Sequence, residues 1–133
     1  MRSIYDDDHE AFRESFAAFV AREATPYYLE WEAAGIAPRE LFTSAGRYGF
    51  LGMAIAEQYG GGGTDDFRFN AILSEEFNAV GIGGAGLGLT LHNDICTPYF
   101  IEYCIDEQAE RWMPGIASGE LITAIAMTEP GTG

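Results

Sequence analysis

Apolar residues recur at three- and four-residue intervals along most of this chain, and that spacing limits what it can fold into. Phe12, Phe16, Phe19 and Val20 obey it first, which puts four large side chains on one face of a helix. Asp6, Asp7 and Asp8 supply a cap and an acidic first turn ahead of that face, and Thr25-Pro26 marks its end. A second, short helix starts with Pro26 at its first position, carries Tyr27, Leu29 and Trp31, and stops at Gly35. Pro38 opens a third, with Leu41, Phe42 and Ala45 inward and Gly46 or Gly49 beyond its end.

The stretch "EQYGGGGTDD" is a loop by composition. From Asp65 or Asp66 a fourth helix runs to about Val80, with Phe69, Ile72, Leu73 and Phe77 as its stripe. Next comes the least charged part of the chain, "GIGGAGLGLTLHNDICTPYFIEYC". Leu87, Leu91 and Ile95 fall there at i, i+4 and i+8, so a closely packed apolar helix is expected, broken or restarted at Pro98. Asp106 caps a last helix through Gln108 and Trp112, which Pro114 and Gly115 end. Residues 122–127 alone read as a buried strand. The expected fold is therefore all-α, about six helices in an orthogonal or bundle-like arrangement, with the first strand of a β domain attached. The helical domain covers 1–120 and the strand start 121–133.

An aromatic content of 14% and a hydrophobic content of 47% provide a real core and argue against disorder. No run approaches the roughly 18 apolar residues of a membrane span. The opening residues are acidic rather than basic, so no secretory signal is visible and a cytoplasmic protein is expected. Net charge is −14, and all seven cations are arginine. Such a chain repels nucleic acid and acidic membranes, whose binding depends on cations against phosphate. Cys96, Cys104, His9 and His92 are too few and too scattered for a structural zinc site, and free thiols in a reducing compartment are expected.

Several apparent motifs carry no chemistry. "GIGGAG" at 81–86 matches G-x-G-x-x-G, but a dinucleotide site needs a strand before the glycines, and "SEEFNAV" reads as the end of a helix. Small residues permitting close helix packing explain it better. "GGGG" at 60–63 lacks the Lys-Ser/Thr of a phosphate loop and reads as a flexible turn. Glu75 and Glu76 are adjacent on a helix, so they point about 100° apart and do not share a proton. His92, Asp94 and Cys96 lack a second histidine or a strained serine, which leaves a polar spot on a packed helix.

The end of the chain, "ITAIAMTEPGTG", is different. A strand delivering Met127 and Thr128 into "EPGTG" presents a hydroxyl, successive backbone amides and glycines that let a backbone approach closely. A flat heterocycle with ring nitrogens and carbonyl oxygens needs such donors. A bare turn is the equal alternative on chemistry alone.

"AMTEPGTG" at 126–133 resembles the flavin-contact motif of the acyl-CoA dehydrogenases, in which T-E-P is followed by glycines and then Ser-Asp. "FTSAGRYGFLGMAIAEQYGGGGTD" at 42–65 is similar to the family's Gly-Phe-Leu-Gly step and Glu-x-Tyr-Gly-Gly loop, with Ala56 where a proline often stands. "LSEEFNAV" and "DEQAERWMPGIASGELITAIAMTEP" resemble its double-glutamate helix and its run into the first strand. The likeness covers nearly the whole chain in order.

What the resemblance implies is specific. It implies an N-terminal helical domain, followed by a β domain and a C-terminal helix bundle, with FAD between them and dimers or tetramers as the assembly. The implied reaction is α,β-desaturation of an acyl-CoA in fatty-acid or other lipid metabolism: a glutamate base takes the α proton, hydride goes to the flavin, and electrons pass to an electron-transferring flavoprotein. By position, Met127 and Thr128 contact the isoalloxazine, Ile125 lies near flavin and substrate, and Gly133 begins the Gly-Ser-Asp turn. The apolar stripe Leu87, Leu91 and Ile95 is the natural wall for the acyl chain, with Gly84, Gly86 and Gly88 leaving room beside it, and ordinary core packing is the alternative for each of these residues. The catalytic glutamate belongs to the C-terminal part, so no catalytic residue is assigned in this chain, which is expected to be inactive alone. A chain at −14 is also a poor sole binder of polyanionic coenzyme A. The alternative function is a non-catalytic subunit or interaction module that completes a partner's flavin and acyl site.

Overall fold

The computed structural model describes residues 4–132. Helix α1, Asp7–Glu23, begins where Asp6 accepts the His9 amide at 3.2 Å, with Asp7, Asp8 and Glu10 in its first turn. Helix α2, Tyr28–Ala34, stops at Gly35, and α3, Arg39–Arg47, follows Pro38. A loop with one 3₁₀ turn, Glu57–Tyr59, leads to α4, Arg68–Ala79. Then α5, Gly83–Thr90, runs without a break through a π-helical turn, Leu91–Cys96, into α6, Thr97–Tyr103. Helix α7, Asp106–Ser118, completes the all-α architecture.

The stripes predicted on α1, α3 and α4 form the core. Phe16, Phe19, Val20, Leu41, Phe42, Ala45, Ile72, Leu73 and Phe77 are all buried. Helix α4 lies between α1 and α5. The Phe16 ring meets Phe50 and Phe77 edge-on at centroid distances of 4.9 and 5.2 Å, the geometry that aromatic quadrupoles favour. The glycines of 81–88 serve this packing. A Cβ at Gly86 would stand 2.5 Å from Phe77 Cγ, and one at Gly88 would stand 3.2 Å from Phe42. The room expected beside Gly84, Gly86 and Gly88 is thus taken by the protein's own side chains, Gly84 facing Glu32 and Tyr28. The α3–α7 crossing is equally close: a Cβ at Gly46 would lie 2.2 Å from the Ser118 carbonyl oxygen.

Three local expectations need correction. Pro114 does not end the last helix but sits inside α7, which continues to a left-handed Gly119. The carbonyl that Pro114 leaves without a donor belongs to Glu110, on the solvent side, while Met113, Ile116 and Ala117 are buried on the other. Packing outweighs the lost bond. At the start of α7, Ile105 rather than Asp106 is the cap, its amide donating to Gln108 Oε1 at 3.1 Å. The "GGGG" loop is not a loose turn: the amides of Gly61, Gly62 and Gly63 donate to the carbonyls of Ala56, Gly52 and Ile55.

The chain leaves α7 through Leu121. Ile122 is half-buried and Thr123 buried, but Ala124 and residues 126–132 are exposed. The predicted strand forms no ladder, because no neighbouring strand exists among the described residues to pair with it. A tight turn pairs Glu129 and Thr132, each amide 3.0 Å from the other's carbonyl oxygen. No described helix is long and apolar enough to cross a membrane.

Candidate functional site

Where the terminal segment passes α6, an apolar cleft of about 300 Å³ opens between them. Cys96, Tyr99 and Phe100 form one side, and residues 124–127 the other. Ile125 is half-buried in its wall, and Met127 stands at the rim, 73% exposed. Thr128 follows in solvent, and Gly133 lies outside the described residues. Among the described residues, the amides of Met127 and Thr128 and the Thr128 hydroxyl donate to nothing in the chain. A group carrying acceptor atoms could dock on that edge by replacing water, without breaking a hydrogen bond within the described chain.

The three residues expected to wall an acyl chain are distributed differently. Leu87 is 63% exposed and Ile95 45% exposed, with Leu91 half-buried, so they are not buried in the core. None of them lines the 300 Å³ cleft. The π turn explains the offset: its i→i+5 bonds insert an extra residue, so i+4 spacing no longer follows one face beyond Leu91. Cys96, the residue after Ile95, faces the cleft instead. Pro98 suggests a break before Tyr99 and Phe100, whereas the helix runs on from the π turn through Pro98 into α6.

The polar residues of the π turn also have definite partners. His92 is fully buried. Its Nε2 lies 3.0 Å from the Ile116 carbonyl oxygen on α7, and its Nδ1 lies 3.2 Å from the Thr123 amide and 2.9 Å from the Thr123 hydroxyl. Burial pushes its pKa below the ordinary histidine value, opposed by the Ile116 carbonyl. Asn93, buried beside it, donates to the Phe50 carbonyl and accepts the Gly52 amide, both at 2.9 Å. Asp94 accepts from Asn70 on α4 at 2.6 Å, and burial raises its pKa. A polar tripeptide within an otherwise apolar run was the one available signal for these anchors.

Glu75 and Glu76 do converge, on a guanidinium rather than a proton. Arg13 reaches Glu75 at 2.7 Å and Glu76 at 2.8 Å, and Tyr5 donates to Glu75 at 2.7 Å. The Tyr5 bond, joined by Arg13, holds the Glu75 carboxyl below its usual range, and Glu76 is engaged by the same guanidinium. Cys96 is buried and Cys104 half-buried, both as free thiols. No metal-binding group of His, Cys, Asp or Glu occurs among the described residues.

Fold and cleft together define a helical domain that offers one apolar wall and, beside it, a backbone edge with uncommitted donors. Residues 6–120 match the acyl-CoA dehydrogenase N-terminal domain, and the chain belongs to the acyl-CoA dehydrogenase family. Over all 133 residues it is 44% identical to the mitochondrial long-chain specific acyl-CoA dehydrogenase of Rattus norvegicus, of which it spans 30%. An acyl-CoA dehydrogenase from Geobacillus kaustophilus superimposes with a TM-score of 0.92 at 43% identity, covering 100% of this chain and 34% of that one. An acyl-CoA dehydrogenase from Bacillus anthracis, solved in complex with FAD, matches 98% of this chain and 22% of its own with a TM-score of 0.80 at 27% identity.

Proposed function

We propose that this chain provides the N-terminal wall of the active site in a cytoplasmic, FAD-dependent acyl-CoA dehydrogenase that desaturates an acyl-CoA between its α and β carbons. The observation that carries this is the uncommitted donor edge at Met127 and Thr128 beside the apolar cleft of Cys96, Tyr99, Phe100 and Ile125. FAD, when bound, supplies the hydride acceptor. The Thr128 hydroxyl and amide and the Met127 backbone would hold the ring's acceptor atoms with fixed donors, which need no reorganisation as charge develops. Ile125 would pack against ring and substrate, and the cleft's apolar walls would exclude water from the reacting carbons. Leu87, Leu91 and Ile95 would line the outer acyl path.

The base is assigned to a glutamate outside this chain. A net charge of −14 likewise supports a reading in which the polyanionic coenzyme A would rest on other surfaces. Electrons would leave to an electron-transferring flavoprotein from a dimeric or tetrameric assembly. The second reading, a non-catalytic module docking on a partner's flavin site, draws on the exposed apolar residues Tyr99 and Met127 at the cleft and Tyr103, Ile105 and Leu121 elsewhere on the surface.

The test uses the native gene product. Expressed from its whole reading frame and supplied with FAD, it should turn yellow and desaturate acyl-CoA, and Leu91→Trp should shift its preference to shorter chains. A product that binds FAD only after mixing with a second protein would select the docking reading. An unaltered chain-length profile would remove Leu91 from the acyl path.

A further inference from the structure

His92 occupies an unusual position: a fully buried imidazole on a π turn whose ring nitrogens both have assigned partners. The Ile116 carbonyl can only accept, so the hydrogen resides on Nε2, 3.0 Å away. Nδ1 is then an acceptor, facing the amide and the hydroxyl of Thr123 at 3.2 and 2.9 Å. This arrangement fits one neutral tautomer. The π turn itself is secured by Thr97, whose amide and hydroxyl both reach the His92 carbonyl, the hydroxyl at 2.6 Å. Asn93 ties the same turn to the 50–52 loop. The imidazole is therefore held from behind and extends its one acceptor toward Thr123, the last buried residue before the terminal segment becomes exposed.

We infer that His92 is a positioning residue that, as the neutral Nε2–H tautomer, fixes Thr123 and thereby places residues 124–128 along the cleft, and that proton uptake at Nδ1 releases them. The placing matters to catalysis only if 124–128 carry the flavin contacts proposed above; the latch itself does not depend on that. On protonation the Thr123 hydroxyl can turn to accept, but the Thr123 amide cannot, and two N–H groups then oppose each other. The groups shown against the ring are Ile116 on α7, Thr123, and Phe42 on α3, whose ring centroid is 6.1 Å away. All are uncharged, so none offsets a buried cation. The titratable neighbours on its own turn are Asp94, engaged by Asn70, and Cys96. Burial already holds His92 below the ordinary value of 6.5, which gives the sign. The closed segment is stabilised above that value, and the stabilisation is lost as pH falls from about 6.5 toward the lowered folded value. Asp94, raised by burial, acts in the opposite direction, since acid relieves its buried charge.

The experiment is amide hydrogen exchange at Thr123, corrected for intrinsic rates, together with nitrogen-15 spectra of the imidazole in the native protein. Neutral Nε2–H spectra at pH 7 are expected, with Thr123 protection falling up to about tenfold per pH unit below 6.5, the slope of one linked proton. His92→Gln, whose amide can donate to Ile116 and accept from Thr123, should keep the protection and lose the slope. An Nδ1–H or charged ring at pH 7, or a flat wild-type profile, would overturn the inference even if His92→Gln fails to fold. None of these readouts needs flavin. A sloping profile combined with flavin reduction indifferent to Thr128 would keep the latch and refute the flavin reading.

Discussion

The seam between α1 and α4 and the face formed by α6 with the terminal segment lie on the same small domain and solve opposite problems. At the seam every strong polar group is answered inside the chain. Arg13 spans Glu10, Glu75 and Glu76. His9 lies between Asp6 and Asp66 and stacks on Phe69 at 4.4 Å, and Arg68 reaches both Asp66 and the Ile4 carbonyl. The α6 face has a run of exposed aromatic and aliphatic side chains, and the segment beside it leaves donors open. The first region is scaffold, complete in itself. The second is a surface with room for a covering group, and under the proposed function that covering would be the cofactor and the acyl chain.

Mutations should separate the two regions in order of size. Phe16→Ala, at 0% exposure under three other phenylalanines, should cost about 3–5 kcal/mol in denaturant unfolding; a loss under 1 kcal/mol would mean that the seam is not the core. Gly86→Ala forces a methyl to 2.5 Å from Phe77 and should cost about 1–3 kcal/mol, whereas Gly131→Ala, with nothing within 4 Å, should be nearly silent. Leu87→Ala on the open side should stay within about 0.5 kcal/mol, and a larger loss would return Leu87 to a structural role. The smallest effect is one of slope. Arg68 holds the Asp66 carboxyl well below its usual range, and the bond with His9 lowers that of Asp6. These depressed values stabilise the seam above the unfolded value of 3.8, and that contribution is lost as pH falls below it. Asp66→Asn should flatten the acid limb of a stability-against-pH curve; an unchanged limb would show the pairing to be idle.

The helices were legible because periodic burial and end signals agree: Asp6 caps α1, Gly35 ends α2, and Phe69, Ile72, Leu73 and Phe77 face inward from α4. The resemblance to the family was legible from ordered motifs, above all "MTEPGTG". Two things were hidden. A π turn leaves no trace in the spacing of apolar residues, so the Leu87–Leu91–Ile95 alignment does not reveal Cys96 as a cleft residue, and the apparent break at Pro98 hides Tyr99 and Phe100. Buried polar anchors such as His92 and Asn93 depend on long-range partners, Thr123 and the 50–52 loop, which local pattern does not encode. Pro114 misled for a related reason, since tertiary contacts of Met113 and Ile116 override its local preference.

The most direct test is rapid-reaction kinetics of the FAD-loaded native enzyme carrying Thr128→Val, which removes the hydroxyl and keeps the shape. Reduction of the flavin by acyl-CoA should slow by about 2–4 kcal/mol in barrier, as for loss of a donor to developing charge, while acyl-CoA affinity changes little. Reduction at the wild-type rate would show that the open edge of the terminal segment is not where the ring rests.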